Sequence, residues 1–369
     1  MKNGVEHHLF IAATSQNDGK TTVSLGLYKA LQALGESIGF IKPVGQRYEV
    51  VDGQQIDKDS ILLQKVCGLT CKLRAMSPIA VDREFTRKYL DDPEGQLPEL
   101  ERAIYDSFAD VATDKDMVII EGTGHAGVGS VYDLSNARLA SMLKAKAIIV
   151  TLGGIGRPVD EVALNHVLFE KSNVEVIGVI ANKVQPEKLE QTREYLTKAF
   201  SRRGLALLGT IPHVPLMTWP TVGQVAKAIN AKVINGHQNL SRQVDKIVVG
   251  AMTAHNAFRF ITGKALLVVP GDRDDVVLAA IATDLLRKDI ELSGIVLTGG
   301  MSVSSTTNSL IMRTAIPVLT VDMPTYETTS ILHNATFKIT DTDEEKIEGA
   351  TSLVRQYVDV EALWKLLTR

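Results

Sequence analysis

The chain has 369 residues, 45% of them hydrophobic, and at about 150 residues per domain this length predicts two domains. Its 40 Lys and Arg residues nearly balance its 43 Asp and Glu residues, and aromatic residues make up only 5%, which excludes a strongly basic nucleic-acid binder with stacking platforms. No apolar run reaches the ~18 residues of a membrane-spanning helix, and the first residues lack the apolar core of a signal peptide, so we expect a cytoplasmic protein without nucleic-acid or membrane partners.

Residues 7 to about 215 alternate short β-branched runs with longer amphipathic segments, a pattern typical of a parallel sheet between helices. The predicted strands span residues 9–13, 38–41, 117–120, 147–150, 176–180 and 205–208. The helical segments between them include residues 23–34, 136–144, 159–171 and 186–202. Because the strands are almost wholly apolar, we expect helices to cover both faces of the sheet.

The alternation lapses near Pro215 and Pro220 and resumes at about residue 246. We therefore predict a first α/β domain over residues 1–215, a linker over 216–245 and a second, smaller α/β domain over 246–340. The second domain is predicted to contain strands at 247–249, 265–269, 294–297 and 316–319 and helices at 276–287 and 310–314. Residues 341–369 are predicted to form two C-terminal helices, over 343–357 and 360–367.

Cysteine and histidine residues form no recognisable catalytic pattern. Cys67 and Cys71 are four residues apart, a spacing that favours two buried thiols on one helix face, with a pair of metal ligands as the alternative. The eight histidines are scattered, so their spacing supports neither a histidine metal site nor a Ser-His-Asp triad.

The most informative segment follows the first predicted strand, where residues 14–22 read Thr-Ser-Gln-Asn-Asp-Gly-Lys-Thr-Thr. A phosphate-binding loop needs inward backbone N–H groups, a lysine for the phosphates and a hydroxyl for Mg²⁺ at a helix N-terminus. The Gly-Lys-Thr triplet supplies the second half of this pattern, although Thr14 stands where the first glycine is usual. The alternative is a Gly-Lys turn that opens an ordinary helix. We predict nucleotide contacts from Ser15, Gln16, Asn17, Asp18, Gly19, Lys20, Thr21 and Thr22.

Two acids are candidates to complete a magnesium shell with Thr21. Mg²⁺ bound beside phosphates usually keeps one or two protein carboxylates. Glu121 ends the predicted strand 117–120 and precedes a Gly-Thr-Gly sequence, which lets a ligand approach the backbone closely. Asp59 precedes an apolar run, and taken alone it also fits the ordinary role of an acid in the first turn of a helix.

These features together resemble the dethiobiotin synthetase-like ATP-binding domains of the cobyrinic acid diamide synthase and MinD class. Such domains have five residues between the two glycines of a loop that ends in Gly-Lys-Thr, which is similar to the spacing from Ala13 to Gly19. They also have a Lys-Pro-Val on the second strand, as at residues 42–44. The resemblance implies a P-loop parallel sheet that binds ATP and Mg²⁺. The residues it implies are Lys20 and Lys42 for catalysis, Thr21, Asp59 and Glu121 for the metal, and Asn182, Ile211 and Pro212 beside the adenine.

The whole chain resembles the amino-terminal half of long bacterial phosphate acetyltransferases, in which a dethiobiotin synthetase-like domain precedes a DRTGG domain. The segments 271–275 and 298–300 match the residues that name the second domain in scattered form. The resemblance implies that an acetyltransferase catalytic domain would follow, so acetyl transfer is not expected of this chain by itself. It also implies self-association as a homodimer or higher homo-oligomer.

Two functions are compatible with this resemblance. The regulatory role of the similar region in long acetyltransferases favours a nucleotide-binding sensor that acts on a metabolic enzyme. The alternative is a weak ATPase or ATP-dependent ligase that phosphorylates a carboxylate or carbamate, with Lys42 beside the acceptor. Gln46, Arg47 and Tyr48 follow the Lys-Pro-Val, whereas dethiobiotin synthetases carry small residues there, and this departure argues against biotin synthesis.

The second predicted domain has acids at the carboxyl end of a strand, at Asp272, Asp274 and Asp275, beside Arg273. Open α/β sheets bind ligands at this end. An Asp at the start of a helix is also a common cap, and both alternatives stay open.

Overall fold

The structure, a computed structural model, describes residues 7–257, 259–286 and 290–369. It divides into two compact units. The first comprises the residues up to Val214 together with Ile339–Arg369, and the second comprises Pro215–Lys338. No helix within the described ranges is long and apolar enough to cross a membrane. The extreme amino terminus, from which we inferred the lack of a signal peptide, lies outside these ranges. Arg287, the last residue of the helix predicted at 276–287, also lies outside them.

Alternating strands and helices make up the first unit. Its strands are β1 (His7–Ala13), β2 (Ile38–Ile41), β3 (Val44–Gly45), β4 (Tyr48–Val51), β5 (Gln54–Asp57), β6 (Ile79–Ala80), β7 (Met117–Glu121), β8 (Lys146–Leu152), β9 (Val176–Val184) and β10 (Leu207–Pro212). Its helices up to Val214 are α1 (Lys20–Ala33), α2 (Lys58–Cys67), α3 (Leu73–Met76), α4 (Phe85–Asp91), α5 (Pro93–Ala112), α6 (Asn136–Met142), α7 (Gly156–Lys171) and α8 (Leu189–Ser201).

A six-stranded sheet forms the centre of the first unit, in the order β10-β9-β8-β1-β7-β2. All neighbouring pairs in it are parallel. The five residues from Leu9 to Ala13 are fully buried, which explains their apolar composition, because helices cover both faces of such a sheet. The predicted parallel α/β fold is confirmed.

The second unit is a smaller α/β structure. Its strands are β11 (Lys232–Asn235), β12 (Lys246–Val249), β13 (Gly263–Pro270), β14 (Ile290–Thr298) and β15 (Val318–Thr320), in the order β11-β15-β14-β13-β12. Strand β11 is antiparallel to β15, and the other neighbouring pairs are parallel. The helices of the unit are α9 (Val222–Ala228), α10 (Ala254–Ala257), α11 (Asp274–Leu286), α12 (Ser305–Ile311) and α13 (Thr325–Asn334).

The segment predicted as a linker, residues 216–245, is instead part of the second unit, where it forms α9 and β11. Val222 and Val225 are fully buried in its core. Thr221 and Gln224 cap α9 reciprocally through side chain and backbone, so the helix begins shortly after the prolines that suggested a linker. The prolines mark the entry to the unit and not a free connection.

The two C-terminal helices, α14 (Glu344–Tyr357) and α15 (Val360–Thr368), belong to the first unit. A Cβ atom on Gly26 of α1 would lie 2.3 Å from Val354 Cγ2 of α14, and Lys146 Nζ donates to the Leu366 carbonyl at 3.0 Å. We predicted a separate C-terminal segment over residues 341–369, whereas the pair belongs to the first unit. Burial of its apolar faces against α1 and the sheet is what returns the chain to the first unit.

Other predicted elements are displaced by a few residues. The strand predicted at 205–208 is β10, which begins at Leu207, and the helix predicted at 310–314 is α12, which begins at Ser305 because the Ser304 hydroxyl accepts from Thr307 N at 3.3 Å. The small pairs β3–β6 and β4–β5 were not predicted. They lie within residues 42–80, where apolar periodicity is weak.

The parallel sheet brings three strand ends to one edge. Ile11 of β1 is paired with Glu121 of β7, and Ala13 of β1 is paired with Val150 of β8. The loop that follows Ala13 therefore lies beside the carboxyl end of β7. In open α/β sheets this edge is where ligands bind.

Candidate functional site

The loop between β1 and α1 turns sharply at Gly19. This glycine has a left-handed φ of +96°, and a Cβ atom on it would lie 2.1 Å from the Asn182 amide nitrogen. Asn182 comes from β9 and donates from Nδ2 to the Asp18 carbonyl at 2.8 Å. The Gly of the Gly-Lys-Thr triplet is thus needed both for its backbone conformation and for the contact with β9.

Asp18 organises the loop from inside. Its carboxylate is buried and accepts from Ser15 N at 2.6 Å and from the Thr14 hydroxyl at 2.8 Å. Thr14 stands where a P-loop usually has glycine, and its hydroxyl also lies 3.2 Å from that of Thr151 on β8. These bonds stabilise the loop conformation, although the chain lacks the first glycine of the usual P-loop pattern.

Exposed residues form the outer part of the loop. Gln16 and Asn17 are exposed, and Lys183 Nζ donates to the Asn17 carbonyl at 2.7 Å. Partial burial lowers the pKa of Lys183 although the Asp18 charge acts in the opposite direction. Asn182 and Lys183 of β9 therefore both contact the loop backbone.

The side chains of Thr21, Asp59 and Glu121 meet at the start of α1. The Thr21 hydroxyl lies 3.1 Å from Asp59 Oδ1 and 3.4 Å from Glu121 Oε1. Asp59 lies in the first turn of α2 and Glu121 is the last residue of β7. The structure thus brings together the three residues that we predicted as metal ligands, and all three are buried.

Lys42 lies against the same carboxylates. Its Nζ donates to Asp59 Oδ2 and lies 3.4 Å from Glu121 Oε1 and 3.2 Å from Asp57 Oδ1. Burial disfavours the charged ammonium, but Asp59, Asp57 and Glu121 outweigh burial and raise the pKa of Lys42 above its ordinary value. Lys42 is therefore a buried cation.

Asp57 is a site residue that we did not predict. It caps α2, since its Oδ1 accepts from Asp59 N at 2.9 Å, and its own N–H donates to Ser77 Oγ at 2.9 Å. A Cβ atom on Gly45 would lie 2.5 Å from Asp57 Oδ2, so the backbone approaches the carboxylate closely. The available sequence signal was an Asp directly before a helix, which indicates a cap and not a lysine partner.

Two asparagines hold the loop that follows β7. The Asn136 side chain accepts from Thr123 N at 3.1 Å and donates to the carbonyls of Thr123 and His125 at 2.8 and 2.7 Å. Asn165 of α7 accepts from Ala126 N at 2.7 Å. Asn165 was not predicted, because a lone Asn within a helix carries no sequence signal of its partner.

The residues predicted beside the adenine lie at the ends of β9 and β10. Thr210 of β10 is paired with Ala181, and Pro212 with Val184, so the two strands end side by side. Ile211 is fully buried and Pro212 is half-buried. Their contact with adenine stays a prediction, as does that of Asn182.

Two family models match the chain one after the other, and they meet a few residues after the point where the second unit begins. The model AAA_26, described as an AAA domain, matches residues 7–221. The chain belongs to the AAA_26 family. A DRTGG domain matches residues 224–335, which confirms the predicted P-loop domain followed by a DRTGG domain.

This AAA_26 protein is similar to bacterial phosphate acetyltransferases. It is 30% identical over 374 residues to that of Pseudomonas aeruginosa and 28% identical over 368 residues to that of Pseudomonas putida. These matches cover 97% and 96% of the chain but 51% of each relative. The chain thus spans about half the length of the curated relatives it matches.

Among solved structures, the AAA_26 protein is similar to the MinD cell division protein of Aquifex aeolicus. The identity is 16%, the TM-score is 0.36, and the match covers 57% of this chain and 84% of that protein.

The donor set of the AAA_26 domain fits a magnesium ion. Across residues 7–257, 259–286 and 290–369, no group of three or more His, Cys, Asp and Glu side chains is arranged to hold a metal alone. Magnesium beside phosphates needs fewer protein ligands, commonly one or two carboxylates with a Ser or Thr hydroxyl. Thr21, Asp59 and Glu121 supply that set, and Lys42 is one positive charge against three buried carboxylates.

Two of the acids predicted in the DRTGG domain bond other residues of that domain. Asp274 accepts from Ser304 N at 3.0 and 3.2 Å. Hydrogen bonds from the Ser304 side chain first, and from its backbone N–H second, lower the pKa of Asp274. Asp275 pairs with Arg273 at 2.8 Å, which lowers its pKa. Asp274 therefore holds the backbone that precedes α12, and Asp275 is an ion-pair partner of Arg273, so these contacts favour a structural role for both acids.

Proposed function

We propose that this chain binds ATP or ADP with Mg²⁺ in the loop after β1, and that the bound nucleotide regulates a metabolic enzyme. The observation that carries the proposal is the convergence of Asp59 and Glu121 on the Thr21 hydroxyl. These groups come from α2, β7 and α1. Their meeting at a helix N-terminus suits a magnesium ion shared with phosphate groups.

The loop supports binding of the phosphates themselves. Lys20 is the first residue of α1 and Gly19 turns the chain into it, so the lysine and the helix dipole both favour an anion at this point. When bound, Mg²⁺ would neutralise phosphate charge. Thr21, Asp59 and Glu121 would hold it, and Lys20 would contact the β- and γ-phosphates.

The relatives support a regulatory role in acetyl-phosphate metabolism. The chain is similar to one half of proteins named phosphate acetyltransferase, so we propose that the enzyme it regulates carries out that reaction. The DRTGG domain, which the family model places after the nucleotide domain, would transmit the state of the nucleotide site.

Lys42 bears on the ligase alternative. A lysine ammonium has three N–H donors, and Lys42 has three carboxylates within 3.4 Å. In a ligase this ammonium would assist a phosphoryl acceptor, so the protein carboxylates would first have to release it. Turnover of ATP therefore separates the two functions.

Calorimetric titration with ADP and ATP in Mg²⁺ buffer tests the nucleotide site. We expect micromolar binding by the wild type and at least tenfold weaker binding by Lys20→Met, because a hydrogen bond to a charged group contributes ~1.5–3 kcal/mol. Lys58→Met is the matched control, since Lys58 is an exposed lysine paired with Glu49. Equal affinity in Lys20→Met and the control would contradict the proposed site.

Steady-state ADP release separates the regulatory function from the ligase. We expect the chain to bind nucleotide, and we expect diamino and carboxylate compounds not to stimulate its turnover. Strong stimulation by such a compound would exclude the purely regulatory function.

The rate of a phosphate acetyltransferase, measured with and without the nucleotide-loaded chain, tests the proposed partner. The same rate in both measurements would exclude that partner.

A further inference from the structure

The divalent cation that we propose at Thr21 and the ammonium of Lys42 need the same oxygens. Glu121 Oε1 lies 3.4 Å from the Thr21 hydroxyl and 3.4 Å from Lys42 Nζ. The two Asp59 oxygens are divided between the same partners, with Oδ1 toward Thr21 and Oδ2 toward Lys42. A cation that draws both carboxylates toward Thr21 therefore draws them away from Lys42.

Charge makes this sharing costly. Lys42 is 4% exposed and Asp59 and Glu121 are each 1% exposed, so water screens their charges little. A divalent cation and an ammonium that share two buried carboxylates repel each other. One of them must lose contacts when the other gains them.

Asp57 offers the ammonium a second position. Its Oδ1 lies 3.2 Å from Lys42 Nζ. The carboxylates that define the candidate metal set with the Thr21 hydroxyl are those of Asp59 and Glu121, and not that of Asp57. Asp57 is also fixed in place, because Oδ1 caps α2 by accepting from Asp59 N at 2.9 Å. It can therefore hold Lys42 while Asp59 and Glu121 turn to a metal.

We propose that Lys42 is a built-in competitor of the divalent cation, and that Asp57 is a positioning residue that receives the ammonium when the cation binds. The inference rests on the proposed function, because it concerns the same metal set. It predicts that the occupancy of the site depends on the balance between Mg²⁺ and an ammonium that the protein itself carries. Nucleotide-linked Mg²⁺ would shift Lys42 from Glu121 toward Asp57.

The test is Mn²⁺ binding, measured by electron paramagnetic resonance of the free ion with and without ADP. We expect Lys42→Met to tighten Mn²⁺ binding at least tenfold, because the competing charge is gone. We expect Asp57→Asn to weaken binding severalfold in the wild-type background and to have no effect beside Lys42→Met. Lys58→Met removes an exposed charge next to Asp59 and is expected to change binding less than twofold.

Several outcomes would overturn the proposal. Unchanged or weaker Mn²⁺ binding by Lys42→Met would show that the lysine supports the metal set and does not compete with it. If Asp57→Asn weakens Mn²⁺ binding equally with and without Lys42, Asp57 acts on the metal only through its negative charge and does not position Lys42. Lys42→Gln, which keeps N–H donors without the charge, gives the same comparison if Lys42→Met does not fold.

Nucleotide binding, measured in parallel with and without Mg²⁺, separates this inference from the proposed function. A wild-type chain that binds no ADP or ATP contradicts the proposed function. Normal nucleotide binding with no difference in Mn²⁺ affinity among the variants contradicts the competition alone.

Discussion

At the scale of single residues, the structure explains why the loop after β1 needs one glycine and tolerates the loss of another. Gly19 has a left-handed φ of +96° and lies against Asn182, so any side chain there meets both backbone strain and a collision. At the start of the loop, where P-loops usually have glycine, Thr14 instead donates to Asp18. The hydroxyl at this position therefore contributes to the loop conformation.

Gly19→Ala is expected to abolish the loop conformation, and Gly35→Ala is its matched control. Both glycines have a left-handed φ, of +96° and +97°, but only a Cβ on Gly19 would meet another atom, at 2.1 Å. In both variants, backbone strain at the left-handed φ lowers the free energy of unfolding by ~1–2 kcal/mol. Only Gly19→Ala should also lose at least tenfold in ADP affinity, as measured by calorimetry. The same loss in Gly35→Ala would show that backbone strain alone weakens binding.

The two cysteine thiols are expected to differ in reactivity. Burial raises the pKa of Cys67 from 9.0 to about 12, although Lys29 acts in the opposite direction. Cys71 is half-buried, and burial followed by the charge of Asp110 raises its pKa as well. Since the thiolate is the reactive form, iodoacetamide at pH 8.5 should modify Cys71 first, as seen by peptide mass mapping. In urea we expect equal modification of both thiols. Equal modification in the folded protein would contradict this assignment.

The raised pKa of Cys67 also sets a direction for stability. The folded state keeps the proton over a pH range in which the unfolded thiol has lost it, so the stability from the neutral thiol is complete below pH ~9 and declines as pH rises toward 12. Denaturant unfolding of the wild type should show this decline. Cys67→Ala should reduce it, and a decline of the same size in Cys67→Ala would assign it to other groups.

At the scale of elements, α1 links the candidate site to the end of the chain. Its first residues carry Lys20 and Thr21, and its middle packs against α14. A Cβ on Gly26 would lie 2.3 Å from Val354 Cγ2 and 2.7 Å from the Ala350 carbonyl. The helices are therefore in backbone contact at this glycine, so α14 belongs to the packing that holds the loop.

Gly26→Ala is expected to destabilise the protein although alanine is the better helix former. The new methyl group must push α14 away from α1, at a cost of ~1–3 kcal/mol for overpacking. Gly156→Ala at the start of α7 is the control, because a Cβ there meets nothing within 4 Å and should leave stability unchanged or higher. Thermal unfolding measures both. Equal stability of the two variants would show that α14 yields at little cost.

At the scale of the whole molecule, the two tryptophans report on the two units separately. Trp364 lies in α15 of the first unit, and Trp219 lies in the second unit. Trp219→Phe and Trp364→Phe therefore each leave one fluorescent probe. Ligand at 100 times its Kd stabilises the state that binds it by ~2.7 kcal/mol.

Saturating ADP is expected to raise the unfolding midpoint that Trp364 reports by several degrees, because the proposed site lies in its unit. A parallel rise at Trp219 is expected if the nucleotide also stabilises the DRTGG domain, as regulation requires. Lys20→Met is the control for both probes. A rise at Trp364 alone would support binding and contradict transmission to the second unit.

The sequence by itself determined the local features of this protein. Alternating apolar runs predicted the parallel sheet, and the Gly-Lys-Thr triplet between β1 and α1 predicted the loop, because strand alternation, helix periodicity and turn chemistry depend on neighbouring residues. The same reasoning failed for residues 216–245, where two prolines suggested a linker although the segment carries a capped helix and a strand. A proline interrupts a regular element but does not specify whether a linker or a new helix comes after it.

Only the tertiary structure decided which distant residues share a site. Thr21 and Glu121 are 100 positions apart, and Lys42 and Glu121 are 79 apart, so no local pattern reveals that they touch. The same holds for Asp57, whose position before α2 indicated a cap, and for α14, whose amphipathic face does not name its partner. Long-range packing around the parallel sheet brings these groups together, because burying each apolar face leaves few arrangements for the polar residues at its edge.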